Sequence, residues 1–154
     1  MIDPRSSSVL SAASVGELEQ IYREAPMARP PVGWFRGKFL RWLPTPGARR
    51  LSVRLADGLL FQTLPFGVDF DRRLWWFVRP PLGVGRFEVS AGPSRWRDTE
   101  TLRLRYHSSR LPRPVRALLY DEVKPLSDHV CLGLGGLDAG PGEGDHFYFL
   151  LTRD

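Results

Sequence analysis

The sequence predicts a mainly β protein, a small closed antiparallel barrel with one or two short helices. Turns must be frequent, because the 154 residues include 15 glycines and 14 prolines. Apolar and polar residues alternate with a period of two in several short segments, as half-buried strands require. Seven or eight such strands, each pairing with its neighbour in sequence, leave no exposed edge when the sheet closes on itself.

The N-terminal region predicts a leader and then a helix. Residues 1–13 are rich in Ser and Ala and are expected to form a loose leader. Ser14 followed by Glu17 has the spacing of a capping box, which predicts a helix over residues 15–24. Residues 14–154 are expected to form a single domain, since the 42% hydrophobic content suffices for one core.

Alternation predicts strands at residues 33–43, 71–79, 85–90 and 101–108. Three further strands are predicted between residues 116 and 151, joined by a proline-marked turn and a glycine-rich loop at 133–136. A second helix is predicted at 48–58, with Leu51, Leu55 and Leu59 as its apolar stripe and Gly58 as its end. In the strand at 71–79, Arg73 and Arg79 are expected to face water.

The same alternation assigns side chains to a ligand site inside the barrel. The residues predicted to line it are Phe35, Trp76, Phe87, Leu102, Leu104, Tyr120, Asp128, Phe147 and Phe149. A barrel of about eight strands is wide enough to hold one small ligand. Many aromatic and few polar groups are typical of pockets for largely apolar molecules. The alternative is a barrel filled by its own aromatic rings.

Two aspartates, Asp121 and Asp128, fall among inward apolar positions. A carboxyl group in apolar surroundings must find a partner or stay protonated, and Tyr106 is expected to be the partner of Asp121. The pair is either a structural hydrogen bond or an acid–base pair in which the pKa of Asp121 is raised. The catalytic candidates are therefore Asp121, Tyr106 and His129.

Motifs for common cofactors and metals are absent from the sequence, which has no Walker loop, dinucleotide fingerprint, HExxH or CxxC. The three histidines, His107, His129 and His146, are far apart, so no metal site is predicted. No cofactor is predicted, with haem held by His129 or His146 as a minor alternative. Cys131 is the single cysteine, which excludes an internal disulfide.

The formal net charge of +5 comes almost entirely from scattered arginines. We therefore expect no nucleic-acid partner. The alternative is a binding surface made of Arg95, Arg97, Arg103, Arg105 and Trp96. No signal peptide and no apolar run near the roughly 18 residues of a membrane span are present, which predicts a cytoplasmic protein, monomeric or homodimeric, without a membrane span.

Two segments resemble the lipocalin-like GxWxG barrel proteins, whose C-terminal domain has no known function. Gly33-Trp34-Phe35-Arg36-Gly37 is similar to the GxWxG motif, with Phe35 at the position of the family's Trp. The second segment consists of Tyr120-Asp121, Pro125-Leu126, Asp128, Leu132-Gly133, Leu137-Asp138 and Phe147-Tyr148-Phe149. The resemblance implies a lipocalin-like barrel and no particular chemistry. Nitrobindin-like barrels have a related shape and hold haem through one histidine.

Two functions follow from these features. The first is binding of a small, largely apolar molecule in the barrel cavity. The second is a cofactor-free enzyme, such as a cyclase, isomerase or hydrolase, that acts on an apolar metabolite in the same cavity by Asp/Tyr acid–base chemistry.

Overall fold

The computed structural model describes residues 6–44, 51–78, 83–140 and 143–153. Across these residues the chain forms nine strands and four short helices. The helices are α1 (Ser7–Ala12), α2 (Val15–Glu24), α3 (Leu51–Thr63) and α4 (Arg113–Leu118). The strands are β1 (Trp34–Trp42), β2 (Phe66–Asp69), β3 (Leu74–Phe77), β4 (Gly83–Arg86), β5 (Glu88–Pro93), β6 (Glu100–Arg105), β7 (Leu119–Pro125), β8 (Val130–Leu137) and β9 (Asp145–Thr152).

All strand pairs are antiparallel, and the sheet has the order β4-β3-β2-β1-β9-β8-β7-β6-β5. Its two outermost strands, β4 and β5, are consecutive in the chain and are separated only by Phe87. They act as one bent strand that pairs first with β3 and then with β6. The sheet therefore curls into a nearly closed barrel, which confirms the predicted fold class.

The two ends of the barrel differ in their connections. At one end, here called the helical end, α3 joins β1 to β2 and α4 joins β6 to β7, and the β3–β4 and β8–β9 connections lie at this end as well. At the other end, here called the hairpin end, turns join β2 to β3, β5 to β6 and β7 to β8. No described helix is both long and apolar enough to cross a membrane.

Two apolar clusters lie on opposite sides of the barrel wall. The interior cluster is Phe35, Phe61, Phe66, Val68, Phe70, Trp75, Phe87, Leu104, Tyr106, Val123, Cys131, Phe147, Phe149 and Leu151. The outer cluster packs α1 and α2 onto the wall and is Leu10, Ala13, Leu18, Tyr22, Leu40, Leu43, Trp96, Tyr120, Leu126, Leu132, Leu134, Tyr148 and Leu150. Strands β7, β8 and β9 are therefore buried on both faces.

Glycines in β8 make room for the aromatic rings of β9. A Cβ atom on Gly133 would lie 2.1 Å from the ring of Phe149, and one on Gly135 would lie 2.5 Å from the ring of Phe147. Both separations are far shorter than van der Waals contact. The glycine-rich segment at 133–136, predicted as a loop, is thus part of a strand, where its missing side chains let the rings lie against the wall.

The predicted helix α2 has the expected bounds, and its capping box between Ser14 and Glu17 is formed. Helix α1 contradicts the loose leader for residues 7–12, because Leu10 is fully buried there. The predicted helix at 48–58 runs instead from Leu51 to Thr63, and residues 48–50 lie outside the described residues. Gly58 does not end it.

Helix α3 faces the barrel through Gly58 and Phe61 and not through Leu55 and Leu59 of the predicted stripe. A Cβ atom on Gly58 would lie 1.6 Å from the indole of Trp42, so the glycine lets this ring pack against the helix. Leu55 and Leu59 are exposed, at 55% and 62%. Leucine spacing alone therefore indicated the wrong side of this helix.

The Gly133→Ala substitution is expected to destabilise the barrel by about 1–3 kcal/mol, because the added methyl group overlaps the Phe149 ring inside a packed core. Gly16→Ala in α2 is the control, since nothing lies within 4 Å of its Cβ position. It is expected to stabilise the fold by about 0.5–1 kcal/mol. Urea unfolding monitored by tryptophan fluorescence measures both, and equal effects would contradict the role given to Gly133.

Candidate functional site

A buried hydrogen bond joins Tyr106 and Asp121 on the inner side of the barrel wall. Asp121 lies in β7, opposite Leu104 of β6 and Gly135 of β8. Tyr106 directly follows β6, and its hydroxyl donates to Oδ2 of Asp121. Both residues are nearly inaccessible, with 3% and 7% of their surfaces exposed. The pairing and the inward direction of Asp121 predicted from the sequence are confirmed.

The pair lies near the helical end, beside the bend between β4 and β5. The ring of Tyr106 packs edge-on against Phe87, with centroids 6.3 Å apart. Gly85 also lies beside the ring, because a Cβ atom on this glycine would be 3.4 Å from the Tyr106 ring. A phenol and a carboxyl group in apolar surroundings offer a proton donor beside an acceptor. Such a pair can tie strands together, orient a polar group or transfer a proton.

The barrel interior that contains this pair includes most of the residues predicted to line the ligand site. Phe35, Phe87, Leu104, Phe147 and Phe149 all belong to the interior cluster. Leu102 is also buried and stands opposite the interior residue Val123, so it shares the inner face.

Helix α3 adds a residue that the sequence did not indicate. The ring of Phe61 lies 4.7 Å from that of Phe66, 5.0 Å from that of Phe147 and 5.4 Å from that of Trp75. Phe61 thereby joins a helix at the helical end to three strands of the wall. Phe61 begins a segment, residues 61–70, whose pattern is ambiguous because Pro65 and Gly67 interrupt it, and this concealed its role.

The inward placement of Trp76 is wrong. Trp75 belongs to the interior cluster, and Trp76 packs outside the wall against Trp34, with ring centroids 4.8 Å apart. The predicted phase rests on Arg73 and Arg79. Arg73 has a positive φ of 55° and lies in the turn before β3, and Arg79 lies outside the described residues. A residue outside the strand carries no information about which way the strand's side chains point.

Three other predicted residues lie away from the interior. Asp128 and His129 are exposed in the β7–β8 turn at the hairpin end, far along β7 from Asp121. Tyr120 is buried on the outer face, where its ring packs against Trp96. The alternation that places Asp128 inward also predicts Leu132 inward and Cys131 outward. Leu132 packs instead in the outer cluster and Cys131 in the interior cluster, so this predicted phase of β8 is inverted. Both faces of β8 are buried, which removes the polar signal that sets a phase.

A second buried polar cluster lies outside the wall, beneath α2. The carboxylate of Glu122 is fully buried and accepts hydrogen bonds from Tyr22, Tyr120, Ser94 and the backbone N–H of Arg95. Four donors suffice to satisfy a buried carboxylate. This arrangement holds α2 and the β5–β6 turn on the barrel.

Glu19 of α2 carries the neighbouring ion pairs. It binds Arg97 at 2.5 Å, Arg23 at 2.6 Å and the hydroxyl of Tyr148 at 2.7 Å. Burial raises the pKa of Glu19, but the hydrogen bonds from these three residues outweigh it and hold the pKa below its ordinary value of 4.5. Arg97 also binds Asp145 at 2.7 Å, which links α2 to β9.

Four of the five residues of the nucleic-acid alternative, Arg95, Trp96, Arg97 and Arg105, form ion pairs or are buried in the same region. Arg95 and Arg105 form ion pairs with Asp138, at 3.1 and 3.3 Å. Trp96 is 6% exposed and therefore offers no open ring face to a base.

The described residues contain no cluster of three His, Cys, Asp or Glu side chains that could hold a metal ion. His146 is fully buried in β9 and His129 is exposed. Burial raises the pKa of the Cys131 thiol, which keeps it protonated at neutral pH.

No family model matches the chain, and no curated protein matches it. The resemblance to the GxWxG barrel proteins therefore stays a prediction. A crystal structure described as that of a protein from Thermomonospora curvata is similar in fold, with a TM-score of 0.50 and 20% identity over 92% of this chain and 88% of that one. The class that fold and site define is a small antiparallel barrel that could hold a ligand.

The Glu19→Gln variant is expected to be less stable than the wild type at pH 7 and to show a flatter stability profile in acid. A carboxyl group whose folded pKa is lowered stabilises the fold above its unfolded pKa near 4.5, and this contribution is lost as the pH falls through the folded value. The difference at pH 7 should be about 1 kcal/mol, because solvent screens a partly exposed group. Urea unfolding between pH 7 and pH 3 measures it.

The exposed Glu88 supplies the control variant Glu88→Gln. Parallel profiles for the wild type and Glu19→Gln below pH 4.5 would show that the ion pairs of Glu19 contribute nothing.

Proposed function

We propose that the barrel binds a small, largely apolar molecule near its helical end, with Tyr106 and Asp121 orienting a polar group of that molecule. The observation that carries the proposal is the buried Tyr106–Asp121 hydrogen bond facing an aromatic interior. A few convergent polar groups in a mainly apolar interior are the usual composition of a small-molecule site.

The position of the pair supports the same function. Asp121 and Tyr106 lie near the end of the barrel that α3 covers through Phe61. A polar group near one end of the barrel can contact the polar part of a ligand whose apolar part lies deeper. Trp75, in the interior cluster, gives the site a fluorescent reporter.

Adding bulk to the interior should exclude the ligand. The neutral fluorophore N-phenyl-1-naphthylamine is expected to bind the wild type, and Val123→Phe should weaken this binding by about tenfold or more, which corresponds to about 1.4 kcal/mol. Val123 is fully buried in the interior cluster. Fluorescence titration of folded protein measures the affinity.

Val32→Phe is the matched control, because the same substitution is made at a residue that is 62% exposed near the hairpin end. Circular dichroism first establishes that both variants fold, since overpacking costs about 1–3 kcal/mol. Equal affinities for a folded Val123→Phe and the wild type would place the probe outside the barrel. Native mass spectrometry of freshly purified protein then identifies any molecule that the wild type retains.

A second candidate function is cofactor-free acid–base catalysis on the bound molecule. The hydrogen bond between a phenol and a carboxylate inside the barrel favours it, because the two groups together can accept and return a proton. Asp121 would act as the base and Tyr106 would orient the substrate oxygen. The exposed position of His129 leaves it out of this chemistry.

The test uses Asp121→Asn and Tyr106→Phe with the molecule that native mass spectrometry identifies. Catalysis predicts conversion by the wild type and a loss of about 100-fold or more in Asp121→Asn, the usual contribution of a general base. The affinity of Asp121→Asn for the molecule should change less than its turnover does. Unchanged turnover in Asp121→Asn would leave the carboxylate a structural role alone.

A further inference from the structure

Helices α3 and α4 expose apolar side chains that the barrel does not cover. In α3, Leu55 is 55% and Leu59 is 62% exposed, although they are one turn apart on the same side of the helix. In α4, Val115 is 40% and Leu118 is 48% exposed, and this helix has no buried residue at all. Each of these two connections therefore exposes a pair of large apolar side chains, and exposed apolar surface of this kind can mark an interaction site.

Both helices belong to the helical end of the barrel. Helix α3 joins β1 to β2, and α4 joins β6 to β7, at the same end of the sheet. The β3–β4 connection at this end begins with Val78, which is 50% exposed. The exposed leucines and valines therefore lie on three connections at the same end of the barrel.

The β6–β7 connection, which contains α4, carries only positively charged residues among its charged side chains. Residues 106–118 contain Arg110, Arg113 and Arg116 and no acidic residue. Arg110 and Arg113 are exposed, and Arg116 is half-buried with a hydrogen bond to the carbonyl of Ser109. Among the residues whose exposure the structure describes, Glu88 of β5, opposite Arg105, and Glu143 on the β8–β9 connection are exposed acidic residues at this end.

We propose that the helical end docks on the surface of an anionic lipid bilayer. The exposed side chains of α3 and α4 would enter the boundary between headgroups and acyl chains, and Arg110 and Arg113 would contact lipid phosphates. Apolar residues flanked by arginines are the composition of helices that lie in this boundary. Anionic headgroups complement the basic α4 connection.

Charge favours a bilayer over a second copy of the chain. Two copies meeting through this end in a symmetric dimer would bring their α4 arginines together, and like charges across an interface cost free energy. Docking also extends the proposed function, on which this inference rests. The helical end of the barrel would then face the hydrocarbon core of the bilayer, where apolar molecules accumulate.

Cosedimentation with vesicles tests the docking. The wild type is expected to bind vesicles made of equal parts of phosphatidylglycerol and phosphatidylcholine. Its affinity for vesicles of pure phosphatidylcholine should be lower by about tenfold or more. Arg110→Gln/Arg113→Gln should lower binding to the anionic vesicles by about tenfold or more. Leu55→Gln/Leu59→Gln should do the same, since less apolar area enters the boundary. Raising the salt to 0.5 M should weaken wild-type binding.

Arg72→Gln/Val32→Gln is the matched control, because it removes one exposed arginine and one exposed apolar side chain at the hairpin end. It should bind like the wild type. Equal binding to both vesicle types, loss of binding in the control, or no vesicle binding at all would overturn the proposal. A dimer seen by light scattering and abolished by Leu55→Gln/Leu59→Gln would also overturn it.

The two proposals fail separately. Vesicle binding is measured without a small molecule, and N-phenyl-1-naphthylamine binding is measured without vesicles. Vesicle binding without probe binding would leave a docking surface on a filled barrel. Probe binding without vesicle binding would retain the interior site and remove the docking.

Discussion

The contact between the phenyl rings of β9 and the glycines of β8 is the constraint on which the rest of the barrel depends. Phe147 and Phe149 point inward from one strand, and Gly135 and Gly133 face them from the next. Because the glycines contribute no side chain, the rings lie against the wall and the interior can hold aromatic residues from every side. The inward surface of β7, with Asp121, is thereby placed one strand from this contact.

Burial on both faces of the wall sets the limits of sequence prediction here. The fold class follows from short alternating segments, and α2 follows from Ser14 and Glu17, because these signals are local. Which side chains of β3 and β8 face the interior cannot be predicted from the sequence in this way. Arg73 stands in a turn, and β8 carries Leu132 and Leu134 on a face that α1 and α2 cover, so neither strand displays its orientation in its polar residues.

The site was predicted in part for the same physical reason. Asp121 and Tyr106 could be paired from the sequence because a carboxyl group in an apolar strand needs a partner, and alternation placed a tyrosine on the adjacent strand. Phe61 could not be found in this way, since it reaches the interior from a helix whose direction depends on Trp42 packing over Gly58. The prediction that Asp128 and His129 belong to the interior site is wrong, because the alternation of β7 ends before the β7–β8 turn in which they lie.

The bend at Phe87 divides one strand of the barrel into two segments, β4 and β5, which pair with different neighbours. The N–H of Phe87 donates to the carbonyl of Arg73, which extends the pairing with the β3 side by one residue, and Glu88 then pairs with Arg105 of β6. Elsewhere each strand is bonded along both sides to the same two neighbours. The wall therefore has a seam between β4 and β5, next to Tyr106. Since β3 and β6 each pair with only one part of this strand, neither neighbour holds it along its whole length.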